Sequence, residues 1–183
     1  MKVVIIGGGV ISKKLVSFEP SNIEILCFKI RQLSNISSSW TKVIEACIVA
    51  DIIIYLAYHH HDFFKNISLL RKILANLRKV DWNGQLIFFN TQSTLSSEIL
   101  KSPKQLKEIL RFDLYTFTKR LQSWLLSRNS KQINISEIYL PIVLGNDTKA
   151  NNSYENMSRH DIIYLPNKGK NFFAYIDLSI FVV

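Results

Sequence analysis

Tyr115 and Lys119 stand four residues apart in a stretch of helical pattern. That spacing places both side chains on one helix face, one turn apart. A phenol ordinarily titrates near pH ~10 and is a poor acid or base at neutrality. A neighbouring ammonium favours the phenolate, so such a pair can exchange a proton with a substrate hydroxyl or carbonyl. The pattern recurs at Tyr164 and Lys168, but Pro166 lies between them and forbids a regular helix there. Chance makes such pairs, and position along the chain must separate them.

A second chemical feature opens the sequence. The apolar run Val3-Val4-Ile5-Ile6 stops at Gly7-Gly8-Gly9, and a helix-like pattern follows from Val10, Ile11 and Ser12. Glycines let a backbone turn sharply and approach phosphates, and the following helix points its N–H groups at them. Gly7, Gly8, Gly9, Val10 and Ile11 are therefore the candidate floor for a dinucleotide pyrophosphate, with a plain glycine turn as the alternative. Ser12 occupies the close-packing position where Gly or Ala is usual, and puts a hydroxyl where helix meets strand. The next apolar segment runs into Lys29 and Arg31 with no carboxylate, which favours NADP over NAD because a base can meet the extra phosphate. The alternative is that both merely solvate a loop. A third feature is the hydroxyl-rich segment Asn90-Thr91-Gln92-Ser93-Thr94, directly after an apolar run.

Elements that could position these residues follow from periodicity. Strands are expected over 2–6, 22–28, 51–57, 85–89, 133–139 and 161–165, and helices over 10–18, 37–46, 62–79 and 103–127. Near-continuous apolar runs mark strands covered on both faces. Strands alternating with helices predict an α/β fold: a Rossmann-like doubly wound parallel sheet with helices on both faces. The 90–95 segment would then lie at the C-terminal end of a parallel strand, where open α/β sheets bind ligands.

Composition limits the partners. With 183 residues the chain suits one domain spanning 1–183, and 48% apolar against 20% charged residues describes a globular protein. The net charge of +9 is spread over helical faces, without any nucleic-acid signature, so nucleic acid is not expected as a partner. No apolar run is long enough to cross a bilayer, so no membrane partner is expected. Two cysteines, Cys27 and Cys47, fall in apolar stretches that read as core, and a cytoplasmic location is the expectation. His59-His60-His61 draws attention as a metal site, but successive side chains of an extended segment point opposite ways, so no metal is expected. Trp40, Trp82 and Trp124 read as packing groups.

In this order the motifs resemble the extended short-chain dehydrogenase/reductase family, in its NAD(P)-dependent epimerase/dehydratase branch. Gly7 to Ser12 matches its cofactor turn, and the strand from Asp51 to Ala57 looks like the one ending beside the adenosine and pyrophosphate. Asn66 falls where the family carries a structural and active-site asparagine; a solvated helix residue is the alternative. Thr91, with Ser93 second, matches the catalytic Ser/Thr that hydrogen-bonds the reacting oxygen; a strand-end cap is the alternative. Tyr115 and Lys119 match the acid/base tyrosine and the lysine that also binds the nicotinamide ribose. Tyr139 to Gly145, with Pro141, resembles the segment passing the nicotinamide, and Phe173 to Leu178 a later strand-to-helix junction. The resemblance implies a redox enzyme or epimerase acting on a small molecule such as a nucleotide-activated sugar, with a homodimer expected. A non-catalytic dinucleotide-binding module of the same fold is the second reading. The substrate-binding C-terminal part of the family is expected to be largely absent, so the chain looks shortened.

Overall fold

The computed structural model describes residues 1–17, 21–29, 37–59, 62–91, 114–140, 142–144 and 175–177. The chain divides into two compact units, Met1–Tyr139 and Leu140–Val183.

The first unit is a five-stranded sheet. Strand β1 (Lys2–Ile6) is buried at four consecutive residues, as a strand covered on both faces must be. Helix α1 (Val10–Ser17) leads to β2 (Glu24–Phe28), which pairs parallel with β1. The chain then crosses back through α2 (Ser37–Ile48) to β3 (Ile52–Tyr55), parallel on the other side of β1. Helix α3 (Phe63–Lys79) leads to β4 (Gln85–Thr91), parallel to β3; α4 (Leu114–Asn129) leads to β5 (Asn134–Leu140). The strand order is β2-β1-β3-β4-β5. It reverses between β1 and β3, so the loops leaving those two strands diverge and open a crevice at their C-terminal ends.

Right-handed crossovers put α1 on one face and α2, α3 and α4 on the other. The core agrees: Val4, Ile6, Ile53, Tyr55, Leu86 and Phe88 cluster with Val43 and Cys47 of α2, Leu126 of α4, and α3. Helix α3 buries Asn66, Leu69, Leu70, Ile73, Leu74 and Leu77, a stripe of helical period, and Asp62 caps it by accepting from the Lys65 N–H at 2.9 Å. That bond, foremost, holds the Asp62 carboxyl below its usual range.

The opposite ends of the strands are tied by Asp51. Its carboxylate accepts the Lys2 N–H at 2.6 Å, its N–H donates to the Lys2 carbonyl, and its carbonyl accepts the Gln85 N–H. Beside it, Trp82 is buried and its indole donates to the Ala50 carbonyl at 2.7 Å. Gly84 is required there, because a Cβ would sit 2.3 Å from the Trp82 ring and 2.5 Å from the Asp51 carbonyl oxygen.

The second unit carries β6 (Ile142–Leu144) and β7 (Tyr175–Asp177), paired parallel with Leu144 opposite Asp177. The strand expected over 161–165 and the first half of the helix expected over 103–127 lie outside the described residues. Two packing expectations are corrected. Cys27 is exposed, because β2 is the last strand on its side of the described sheet; Cys47 is buried. Trp124 is 49% exposed on the outer face of α4, with Arg128 over its ring.

Candidate functional site

The floor of the crevice is the glycine turn. Gly7 donates to the Phe28 carbonyl at 2.9 Å, and Leu56 donates to the Ile6 carbonyl at 2.9 Å, so the turn is held between the ends of β2 and β3. Gly7 has φ of 152°, and a Cβ on it would lie 2.9 Å from the Leu56 Cβ. A side chain has neither the conformation nor the room there. Gly9 faces open space, with nothing within 4 Å of an added Cβ. Helix α1 begins immediately afterwards and carries no acidic residue in its first turn. An open backbone turn with N–H groups and a positive helix end beyond it fits a pyrophosphate. Ser12 is 1% exposed and its hydroxyl donates to the Gly9 carbonyl at 2.8 Å, so the added polar atom is satisfied inside its own helix.

Flanking groups close the floor. Ala57, buried, follows β3 beside Gly7. Lys29 is exposed at the end of β2, and its Cγ would lie 3.0 Å from a Cβ on Gly8, so the lysine stem packs along the turn. The Cys27 thiol donates to the Gly7 carbonyl at 3.4 Å, and although the residue is exposed, partial desolvation of the thiol against the turn pushes its pKa up despite nearby Lys29. Ile11 is half-buried one residue into α1. Arg31, Ser93 and Pro141 lie outside the described residues, as do His60 and His61.

The opposite wall is α4. Its sheet-facing side is polar at the start and apolar further on: Thr118, Lys119 and Gln122 are buried, followed by Leu126. Lys119 is 3% exposed; its ammonium donates to the Phe89 carbonyl at 2.8 Å and lies 4.7 Å from the Phe88 ring centre. Burial brings its pKa down to about 8, while the Glu137 carboxylate pulls the other way. The lysine is thus tied to β4 two residues before Thr91, which ends that strand.

Tyr115, one turn earlier on α4, is half-buried, and its ring meets Tyr58 edge-on at 4.5 Å between centroids. Tyr58 belongs to the segment following β3, so this contact brings the Tyr115 end of α4 to the crevice mouth. Phe117 stacks on Phe63 at 5.7 Å, continuing the aromatic contact onto α3. Asn66 is buried, not solvated: its amide accepts from the His59 N–H at 2.7 Å and donates to the His59 and Asp62 carbonyls. It therefore shapes the β3–α3 loop that carries Tyr58. Its own carbonyl accepts from Gln122 of α4 at 3.2 Å.

Three groups at this site were not singled out from sequence. Asn90, on the buried face of β4, donates to the Ser123 hydroxyl and to the Glu137 carboxylate of β5, both at 2.7 Å, and accepts the Thr91 N–H at 2.8 Å. Ser123 also donates to the same Glu137 oxygen. The Tyr139 phenol adjoins this cluster; burial, then the Glu137 charge, pushes its pKa up. Ser123 stands four residues beyond Lys119, a signal legible in the sequence; the role of Glu137 depends on β5 lying beside β4 and has no local mark. Among the described residues no group of His, Cys, Asp and Glu could hold a metal ion, and no helix is long and apolar enough to cross a membrane.

No protein-family model matches the sequence, and no curated protein matches it. Solved structures share its fold. A UDP-N-acetylglucosamine 4-epimerase from Bacillus cereus is 12% identical with a TM-score of 0.63, over 98% of this chain and 69% of that one. A nucleoside-diphosphate-sugar epimerase from Agrobacterium tumefaciens is 16% identical with a TM-score of 0.58, over 86% and 58%. A dTDP-4-dehydrorhamnose reductase from Bacillus anthracis, solved with NADP, is 17% identical with a TM-score of 0.57, over 86% and 59%. The chain thus spans 58 to 69% of the length of these proteins. The shared architecture is the Rossmann-like α/β fold expected from sequence.

Proposed function

We propose that this chain is an extended short-chain dehydrogenase/reductase that binds NADP or NAD and acts on a nucleotide-activated sugar as an oxidoreductase, epimerase or dehydratase. One observation carries the reading. The open glycine turn after β1 and the Tyr115/Lys119 face of α4 belong to the same end of one parallel sheet, with Tyr58 meeting Tyr115 from the strand between.

The residues divide the work. Gly7, Gly8, Gly9, Val10 and Ile11 would hold the pyrophosphate, Ala57 would lie along the adenosine side, and Lys29 would meet a 2′-phosphate. When bound, the nicotinamide supplies hydride acceptance and donation. Tyr115 moves a proton to or from the substrate oxygen, Lys119 favours its phenolate by charge, and Thr91 orients that oxygen by hydrogen bonding. A lysine whose pKa lies near 8 still carries its charge at neutral pH, as this role needs. Pro141 is carried as a cofactor contact by the family resemblance alone, and Arg31 as a base near the end of β2 that could meet the extra phosphate.

Two nucleotide-sugar epimerases and a dTDP-sugar reductase share the fold, and their activities support the substrate class. A second reading, a non-catalytic dinucleotide-binding module, is favoured by the enclosure of the Lys119 amine on the Phe89 carbonyl. The test is a titration with NADPH and NADH followed by turnover on a panel of nucleotide sugars, for wild type and Tyr115→Phe. Turnover lost in Tyr115→Phe with binding retained supports the enzyme. Binding without turnover in either protein supports the module, and no binding sinks both.

A further inference from the structure

We infer that Glu137 is a positioning residue that locks the Thr91 end of β4 to the Tyr115/Lys119 face of α4, by taking the Asn90 amide and the Ser123 hydroxyl on one carboxylate oxygen. The inference rests on the catalytic assignment of Thr91, Tyr115 and Lys119 above and adds the group that fixes their spacing.

The geometry is a three-element junction. Asn90 bonds in three directions: to the Thr91 N–H on its own strand, to Ser123 on α4 and to Glu137 on β5. Ser123 closes the triangle on the same Glu137 oxygen. Next to the junction, Lys119 reaches the Phe89 carbonyl, so two consecutive residues of β4 are fastened to α4 one helical turn apart. Further along, Leu126 of α4 shares the hydrophobic cluster with Leu86 of β4 and, at its edge, Ile135 of β5, and such apolar packing resists separation but tolerates sliding. Hydrogen bonds are directional and set the axial register.

A carboxylate in this half-buried place is costly unless its oxygens are used. Removing it leaves the Asn90 and Ser123 donors short of an acceptor in a partly buried place. The strand end is then free to shift by the fraction of an ångström that matters for a hydrogen bond to a reacting oxygen.

The experiment compares wild type, Glu137→Gln and Glu137→Ala at pH 6, below the value of about 8 at which Lys119 titrates. NADPH is the probe, followed by its nicotinamide emission, together with the Thr91 amide and Lys119 Cε NMR shifts of the ligand-free protein. Glu137→Ala should weaken NADPH binding about tenfold, the equivalent of 1.4 kcal/mol, and move both NMR signals. Glu137→Gln keeps an oxygen acceptor and should restore both. Wild-type affinity and unmoved signals in Glu137→Ala overturn the inference, as does a Gln variant as impaired as Ala. Should Glu137→Ala not fold, Ser123→Ala is read on the same scale: moved signals support the junction, unmoved ones overturn it. Should wild type bind no NADPH, the dinucleotide reading fails, and the NMR signals still decide the junction.

Discussion

Lys119 concentrates the electrostatics of the site. Its folded pKa of about 8 lies below the ordinary 10.5, so between those values the unfolded chain binds more protons than the folded one. Stability attributable to this residue therefore rises as pH increases from about 8 to 10.5 and is flat on either side. Comparing wild type with Lys119→Met by denaturant unfolding isolates the effect, because the raised pKa values of Cys47 and Tyr55 are common to both proteins and cancel. A difference that does not change with pH would show the amine to be solvated. For the neighbouring tyrosine, Tyr115→Phe should leave NADPH affinity within about twofold while lowering turnover on a responsive nucleotide sugar at least about a hundredfold. Equal losses in both would point to a packing role against Tyr58 instead.

Among the elements, β1, α3 and β4 were readable because their patterns are local: four apolar residues in a row, a 3.6-residue stripe, and a run ending in hydroxyls. The glycine turn was readable for the same reason. The tie between Lys119 and the Phe89 carbonyl was not, since periodicity says which face a lysine is on and not what meets it across a sheet. Cys27 and Trp124 misled because apolar character does not reveal which strand is at an edge or which helix face is outward. Asn66 was placed by resemblance, but its three bonds to the β3–α3 loop come from the loop's path back onto the helix start. Two substitutions test the elements. Asp62→Ala removes the α3 cap and should cost about 1 kcal/mol in chemical denaturation. Gly84→Ala should cost about 3 kcal/mol or more, because neither the Trp82 ring nor the Asp51 backbone can yield without disturbing the strand ends.

At the level of the whole molecule, a ligand that binds only the folded protein stabilises it by mass action. NADPH at a hundred times its Kd should add about 2.7 kcal/mol to the unfolding free energy, and Lys29→Ala should diminish the advantage of NADPH over NADH. A thermal-shift series with both nucleotides reads this directly; equal shifts in wild type would remove Lys29 from the phosphate assignment.

The clamp at Asp51 has a consequence for motion. One residue staples the starting ends of β1, β3 and β4, while the finishing ends of the same strands run into the loops of the crevice. The strands stay paired from these starting ends to Ile6, Tyr55 and Phe88, so freedom to move is left to the loops beyond them. Amide hydrogens of Asp51 and Gln85 should exchange slowly with deuterated solvent, as should that of Gly7, bonded to the Phe28 carbonyl, and those of the exposed Gly8 and Gly9 quickly. The fold would then give the crevice end room to breathe without loosening the sheet that supports it.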